Sequence, residues 1–192
     1  MTELGSIINA VWGLLWFVLI LYWITAAFSA KRNIKAADWR RSAGVRLLFI
    51  VIVIILLILN SHLHWYYLSG HPFSIGVQGA GLLLCLIGVA IAAWARLHLG
   101  RNWSATPSMK EGHELVTSGP YRFVRHPIYT GIITAAFGSI FIGGMVWLAI
   151  FVVMAANFLY RIPVEEGYMM HLFPSQYPEY KKRTKALVPF VW

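Results

Sequence analysis

The chain has 192 residues, of which 59% are hydrophobic and 12% are charged. Soluble domains carry about a quarter charged residues, so the composition excludes an ordinary soluble domain and indicates an integral membrane protein with one domain. The net charge of +9 does not indicate nucleic-acid binding, because the basic residues flank apolar segments. That distribution is typical of the cytoplasmic ends of membrane spans, where basic side chains also contact anionic lipids.

The apolar segments predict an all-α membrane protein with five transmembrane helices. About 20 apolar residues in helical form cross a bilayer core. Four apolar stretches are candidates, at about residues 5–28, 45–59 with an aromatic continuation toward 67, 73–97 and 128–159. The last is too long for one span and is interrupted by Gly138 and Gly143-Gly144, which predicts a tight hairpin of two short spans. The third stretch is rich in glycine and alanine, which suits close helix packing.

The distribution of lysine and arginine orients these spans. Basic residues are concentrated in three places: after the first span, between the third span and the hairpin, and in the C-terminal tail. The loop at about residues 62–72 contains no Lys or Arg. By the positive-inside rule, the N-terminus lies outside, whereas the segment at 101–125 and the tail are cytoplasmic.

The first polar segment, GHELVTSGPYRFVRHPIYTG, runs from Gly112 to Gly131. Its Gly119-Pro120 pair is a turn signal. Pro127 suits the first position of a membrane helix and forces His126 out of that helix. The positive end of the helix can hold an anionic group. Irregular backbone at membrane depth is tolerated only in a cavity lining or buried in protein.

The second polar segment places Arg161 one turn before two adjacent carboxylates, Glu165 and Glu166. Arg161 and Glu165 are i,i+4 partners if the helix continues through Pro163. A surface ion pair, which contributes little to stability, is one interpretation. In this purely structural interpretation, the side chain of Arg125 extends to the lipid headgroups. However, the chain has only seven acidic residues. Ionisable groups at a membrane boundary indicate a functional site, here suited to a cationic or polyhydroxyl ligand.

The C-terminal tail is predicted to form an interfacial helix from Pro163 to about residue 184, with Pro163 in its first turn. Pro174 and Pro178 should break or bend it. Its apolar side predicts that it lies at the membrane surface and covers the polar site.

The motif GHxLVxxGPYxxVRHPxYxG, followed by a hairpin, RxPxEE and YxxYKKR, resembles the isoprenylcysteine carboxyl methyltransferase family. Related membrane enzymes methylate phospholipid amines. The resemblance covers residues 99–192, whereas the first two spans carry no motif. It therefore implies one membrane domain in which residues 1–98 supply three spans and residues 99–192 form the cofactor-binding and catalytic half.

The resemblance implies S-adenosylmethionine as the methyl donor. It assigns the donor site to Thr106, upstream of the first polar segment, and to residues of both segments: His113, Leu115, Val116, Gly119, Tyr121, His126, Pro127, Tyr129 and Glu165. Thr106 stands where isoprenylcysteine members have Gln. Arg161 is assigned to the substrate. The candidate catalytic residues are Arg161, Glu165, Glu166 and His126.

The preferred acceptor is the carboxylate of a lipophilic molecule such as a prenylated substrate. A carboxylate is already ionised and needs no general base, and Arg161 can hold it bidentately. An amine acceptor must lose a proton, for which His126 or Glu166 are candidate bases.

Three alternatives remain open at the level of sequence. The first is a phospholipid or amine N-methyltransferase. The second is an NADPH-dependent membrane reductase of the sterol type, with a basic patch from Arg122, Arg125 and the 181–183 run. The third is a membrane scaffold or small transporter. No metal site is predicted: Cys85 lies in an apolar run, and no carboxylate or cysteine accompanies His62, His64 and His71.

Overall fold

The structure is a computed structural model. It describes residues 3–28, 33–36, 44, 47–48, 50–56, 58, 73–100, 103, 108–110 and 114–191. The elements in chain order are α1 (Glu3–Phe28), β1 (Asn33–Ala36), α2 (Ile75–Leu99), β2 (Ser108–Lys110), a 3₁₀ helix (Gly119–Arg122), α3 (Pro127–Gly143), α4 (Met145–Leu172) and α5 (Gln176–Arg183).

Three helices of the described part are long and apolar enough to cross a membrane: α1, α2 and α4. Helix α3 is a shorter apolar helix of 17 residues. The first and third predicted spans are therefore confirmed, and the chain is a multi-pass helical membrane protein. Within the second predicted span, residues 50–56 are helical. The ends of that span lie outside the described residues.

The predicted hairpin is confirmed, with its turn at Gly144. This residue caps both helices and has a φ of 69°, a conformation that favours glycine. Gly138 does not interrupt the hairpin, since it lies buried inside α3. The second arm is longer than predicted, because α4 has 28 residues and contains Pro163.

The prediction that a separate tail helix begins at Pro163 is wrong. Proline in a helix interior removes one backbone hydrogen bond, yet α4 continues to Leu172. An ion pair from Arg161 to Glu165, with 3.0 Å between Nη2 and Oε1, spans the proline and helps to hold the helical geometry. The predicted break at Pro174 is confirmed, because the short helix α5 begins only at Gln176.

Two short strands depart from the all-α prediction. β1 and β2 pair antiparallel, with Asn33 opposite Lys110. They have four and three residues, which is too short for an alternating pattern to be recognised in the sequence. The pair brings the segment after α1 beside the segment after α2.

Small residues allow the backbones of α2 and α3 to come into direct contact. A Cβ atom placed on Gly81 would lie 2.7 Å from the carbonyl oxygen of Gly138. One placed on Gly131 would lie 2.5 Å from the backbone nitrogen of Ala92. Any larger side chain would therefore force the two helices apart, as in other membrane helix pairs that depend on small residues.

A neutral polar cluster fastens α1 to α3, and we call it the Ser139 cluster. The indole nitrogens of Trp12 and Trp16 donate to Ser139 Oγ over 2.9 and 3.0 Å, and this hydroxyl donates to the carbonyl of Ala135. Trp147 packs against both indoles, with ring centroids 5.1 Å away. Cys85 is completely buried beside Ser139, consistent with a packing role.

At the C-terminal end of α1, Arg96 joins the ends of two helices. Its guanidinium donates to the carbonyls of Ala26 and Gly100, both over 2.8 Å. It also lies over the ring of Trp103, with 4.5 Å between Cζ and the ring centroid. Arg96 therefore caps the C-terminal carbonyl groups of α1 and α2, where a cation is favoured.

Candidate active site

The Gly119-Pro120 turn is confirmed as the start of the 3₁₀ helix. Gly119 has a φ of 57°, and a Cβ atom there would lie 2.7 Å from the ring of His98. Tyr121 follows and is buried. Its carbonyl accepts a 2.6 Å hydrogen bond from Tyr180 Oη, which ties this turn to α5. Burial raises the pKa of Tyr180 to about 12, so its hydroxyl remains a donor at neutral pH.

The His126-Pro127 prediction is also confirmed. Helix α3 begins at Pro127, and His126 lies outside it with φ −124° and ψ 59°. The backbone before the helix pairs with the C-terminal tail: the amides of Arg125 and His126 donate to the carbonyls of Lys185 and Ala186 over 2.8 and 3.0 Å. The tail therefore satisfies irregular backbone that apolar surroundings would otherwise leave unpaired.

Two carboxylates, Glu165 and Glu166, organise a charged cluster, and Glu165 is described first. Its Oε1 accepts hydrogen bonds from Tyr129 Oη over 2.5 Å and from Arg161 Nη2 over 3.0 Å. Its Oε2 lies 3.6 Å from His126 Nδ1, beyond hydrogen-bond distance. Among the described residues no hydrogen bond to Oε2 is present, so this oxygen can accept one from a ligand. The predicted i,i+4 pair of Arg161 and Glu165 is confirmed.

The ring of Tyr129 stacks against two other aromatic rings. It stacks on His126 with 5.4 Å between centroids and 5° between planes, and on Phe158 with 4.2 Å and 15°. The guanidinium of Arg161 is 5.8 Å from the Tyr129 ring centroid, within cation–π range. The stack fixes the phenol that donates to Glu165.

Glu166 has different partners from its neighbour. Arg125 Nε lies 2.6 Å from its Oε1, and Lys181 Nζ lies 2.6 Å from its Oε2. The side chains of Arg125 and Glu166 are only 9% and 7% exposed. Arg125 also donates to the backbone carbonyl of Thr184. The structure thus excludes the interpretation in which Arg125 reaches lipid headgroups.

His126 lies between the two carboxylates. Its Nε2 lies 3.6 Å from Glu166 Oε1, and its Nδ1 also lies 3.6 Å from Glu165 Oε2. Nε2 is buried and has no hydrogen-bond partner in the described part of the chain. Unpaired buried polar atoms are rare in folded proteins, so this nitrogen marks a position where a ligand or a water can bind.

The structure brings half of the twelve predicted site residues together. His126, Pro127, Tyr129, Arg161, Glu165 and Glu166 form one cluster at the start of α3 and the end of α4. Leu115, Val116 and Gly119 lie upstream, around the turn, and Leu115 and Val116 are half-buried. Thr106 and His113 lie outside the described residues, as do His62, His64 and His71. Among the described residues no group of His, Cys, Asp and Glu could hold a metal ion.

Sequence reasoning missed two members of the cluster. Arg125 was considered only as a lipid-facing residue or part of a nucleotide patch, and Lys181 only as part of such a patch. Both neutralise Glu166 instead. For Arg125 the one available signal was its position directly before His126. For Lys181 the available signal was its place in the YxxYKKR motif, but its contact with Glu166 depends on how α5 packs against α4.

The fold and the charged cluster define a multi-pass helical membrane protein with a polar site at the end of a helical hairpin. Residues 81–171 match the family model described as "Isoprenylcysteine carboxyl methyltransferase (ICMT) family". This match confirms the resemblance found in the motifs: residues 81–171 are similar to the isoprenylcysteine carboxyl methyltransferases.

Two curated proteins and one solved structure illustrate the extent of this similarity. Protein-S-isoprenylcysteine O-methyltransferase B of Arabidopsis thaliana is 33% identical over 119 residues, which is 60% of each chain. A probable protein-S-isoprenylcysteine O-methyltransferase of Oryza sativa subsp. indica is 28% identical over 176 residues, 88% of each chain.

The solved structure is that of "the eukaryotic intramembrane Ras methyltransferase ICMT", with a TM-score of 0.59 and 23% identity. The match covers 81% of this chain and 54% of that one. At this identity the similarity supports the fold alone. The chain thus spans just over half the length of the solved protein and three fifths of the Arabidopsis relative.

Proposed function

We propose that the chain is an S-adenosylmethionine-dependent methyltransferase that methylates the carboxyl group of an isoprenylcysteine-like lipophilic acceptor. The observation that carries the proposal is the arrangement around Glu165. One oxygen is fixed by Tyr129 and Arg161, and the other lies open to a ligand beside His126. The names of the similar plant proteins support the same reaction and the same acceptor.

The charged cluster fits the proposed donor chemically. When bound, S-adenosylmethionine supplies an electrophilic methyl group on a sulfonium cation, and it carries a ribose diol and an ammonium group. Glu165 can accept charge-assisted hydrogen bonds from the diol or the ammonium. Nε2 of His126 can satisfy its missing hydrogen bond with a polar group of the donor.

The remaining donor-site residues are proposed from the resemblance. Leu115 and Val116 can pack against the adenine, and Gly119 and Tyr121 shape the turn beside it. Pro127 fixes the start of α3, so that the helix presents its positive end to the cluster. Thr106 and His113 complete the proposed set.

Arg161 is the proposed acceptor-binding residue. Its side chain is 25% exposed, and its Nη2 lies 3.0 Å from Glu165 Oε1. The residue proposed to bind the methyl acceptor is therefore adjacent to the residue proposed to bind the methyl donor. A guanidinium can hold a carboxylate bidentately. The acceptor carboxylate needs no general base. Because methyl transfer neutralises a cation and an anion, orientation and exclusion of water supply most of the catalysis.

The partners of Glu166 argue against this carboxylate as the base that an amine acceptor would need. An amine must lose a proton to a base such as Glu166. Both oxygens of Glu166 are already in ion pairs at 2.6 Å, with Arg125 and Lys181. Such pairing stabilises the ionised carboxylate and makes it a weak base. The same contacts remove Arg125 and Lys181 from the basic patch that an NADPH-dependent reductase would need.

The proposal includes the placement in the membrane. Five spans, with the N-terminus outside, would put the cluster and the C-terminus on the cytoplasmic side. Helix α5 and the tail after it would cover the donor, since both are already tied to Arg125 and Tyr121. A lipophilic or prenylated substrate would enter from the bilayer, and membrane lipids would surround the spans.

The direct test uses purified protein, methyl-labelled S-adenosylmethionine and an S-farnesylcysteine derivative with a blocked amine. We expect a labelled product that releases methanol in mild base, as a methyl ester does. A base-stable methylamine on phosphatidylethanolamine would instead support the amine acceptor. Absence of transfer to either acceptor would overturn the proposal.

A further inference from the structure

We infer that Lys181 of α5 is a positioning residue for methyl transfer, acting through Glu166 and His126. The inference rests on the proposed function and assigns Glu166 to the same positioning network. It extends that function, because neither the motifs nor the similar proteins give Lys181 a role.

Lys181 belongs to a closed set of contacts with Arg125 and Glu166. Its ammonium lies 2.6 Å from Glu166 Oε2, while Arg125 lies 2.6 Å from the other oxygen. Arg125 Nη1 also lies 3.4 Å from the carbonyl oxygen of Lys181. The carboxylate is 7% exposed, whereas the Lys181 side chain is 46% exposed. A half-exposed cation thus neutralises a buried anion from the outer side.

This set of contacts reaches the donor site through His126. Oε1 of Glu166 lies 3.6 Å from His126 Nε2, and the His126 ring stacks on Tyr129. Tyr129 in turn donates to Glu165. Loss of the Lys181 charge would leave Glu166 with Arg125 as its one cationic partner among the described residues. The buried carboxylate would then draw His126 toward itself and away from the position it holds between the two carboxylates.

Lys182 supplies a matched control on the same helix. Its ammonium lies 2.7 Å from Glu179, but these side chains are 71% and 63% exposed. Exposed pairs contribute little to stability. Replacing either lysine with methionine removes one positive charge from α5 while retaining an apolar stem. A difference between the two variants therefore reports the contact with Glu166 and not the loss of charge near the membrane.

The experiment compares wild type, Lys181→Met, Lys181→Arg and Lys182→Met in methyl transfer to the S-farnesylcysteine derivative. We expect Lys181→Met to lower kcat by about tenfold or more, because small displacements of positioning groups are costly. We expect Lys181→Arg to restore most of the loss and Lys182→Met to stay within twofold of wild type. The KM for the acceptor should change little in Lys181→Met, since the contact lies on the donor side.

The melting temperature of each variant separates a positioning role from a structural one. If the kcat of Lys181→Met falls only in proportion to its folded fraction, or matches that of Lys182→Met, the inference is wrong.

If Lys181→Met fails to fold, a second comparison tests the inference. It measures kcat for Glu166→Gln alone and for Glu166→Gln combined with Lys181→Met. The double variant should match Glu166→Gln, because the lysine then has no anion to neutralise. An additive loss would contradict the inference. Absence of methyl transfer by wild type would instead overturn the proposed function.

Discussion

The Ser139 cluster and the charged cluster are both buried polar groups in a mostly apolar chain, yet they differ in kind. In the first, neutral donors and acceptors satisfy one another: two indoles donate to Ser139, which donates to Ala135. In the second, charged groups lie close together and His126 Nε2 has no hydrogen-bond partner among the described residues. A saturated neutral network fixes packing, whereas a charged network with unused capacity can bind a ligand.

The largest effect should follow from Glu165→Gln, which tests the charged cluster directly. The substitution keeps the shape but removes the charge that Arg161 and Tyr129 hold in place. We expect kcat/KM for methyl transfer to fall about a hundredfold or more, the cost of losing one key polar group in an active site. The measurement is the initial rate of methyl ester formation against donor concentration.

The exposed carboxylate Glu179 provides the control for this substitution. Its side chain is 63% exposed and pairs with Lys182 at the surface, so Glu179→Gln should leave the rate within twofold of wild type. A loss of less than threefold in Glu165→Gln would show that the charge of Glu165 is not used in the reaction.

The next effect is structural and belongs to the α2–α3 contact. A Cβ atom on Gly88 would lie 2.5 Å from the carbonyl oxygen of Gly131. We expect Gly88→Ala to lower the free energy of unfolding by about 1–3 kcal/mol, the usual cost of overpacking. Thermal unfolding in detergent measures it.

Gly79 lies on the same helix, but no atom of the described neighbouring residues would lie within 4 Å of an added Cβ. Gly79→Ala should therefore keep or slightly raise the melting temperature, because alanine favours a helix by up to about 1 kcal/mol over glycine. Equal melting temperatures for the two alanine variants would mean that the backbone contact between α2 and α3 is absent.

Ser139→Ala should destabilise the protein without altering the chemistry. It removes the acceptor of the Trp12 and Trp16 indole groups. Hydrogen bonds between membrane helices contribute about 0.6 kcal/mol each, so we expect a loss of about 1 kcal/mol in the free energy of unfolding. The rate per folded molecule should be unchanged. A large drop in kcat would show that the two clusters are coupled.

The smallest effect should come from Tyr180→Phe, which removes one hydrogen bond of 2.6 Å to the Tyr121 carbonyl. We expect a loss of about 1 kcal/mol or less near neutral pH. Because burial raises the pKa of Tyr180 to about 12, its stabilising contribution is complete below about pH 10, the ordinary phenol pKa. It is lost as the pH rises further. Melting curves at pH 7 and pH 9 should therefore differ from wild type by the same amount.

Local signals predicted the parts of the site that depend on neighbouring residues. Pro127 ends the irregular segment and begins α3, and Arg161 reaches Glu165 one helical turn later. Apolar length predicted α1, α2 and the hairpin. Helix periodicity and proline geometry act over a few residues, so a single sequence contains this information.

Tertiary contacts decided the rest. Arg125 and Glu166 are 41 positions apart, and the tail pairs with backbone near residue 125 from about 60 positions away. No local pattern indicates either contact. The continuation of α4 through Pro163 also runs against the local preference of proline, which usually breaks or kinks a helix. The short strands pair across a similar separation, so their sequences alone gave no signal.

The central claim is that the charged cluster binds S-adenosylmethionine through Glu165. The most direct test is the melting temperature of the purified protein with saturating S-adenosylhomocysteine, for wild type and Glu165→Gln, with NADPH in parallel. Ligands that bind the folded state raise this temperature by mass action. We predict a rise with S-adenosylhomocysteine that Glu165→Gln abolishes, and none with NADPH. No shift with S-adenosylhomocysteine, or a shift with NADPH in its place, would contradict the claim.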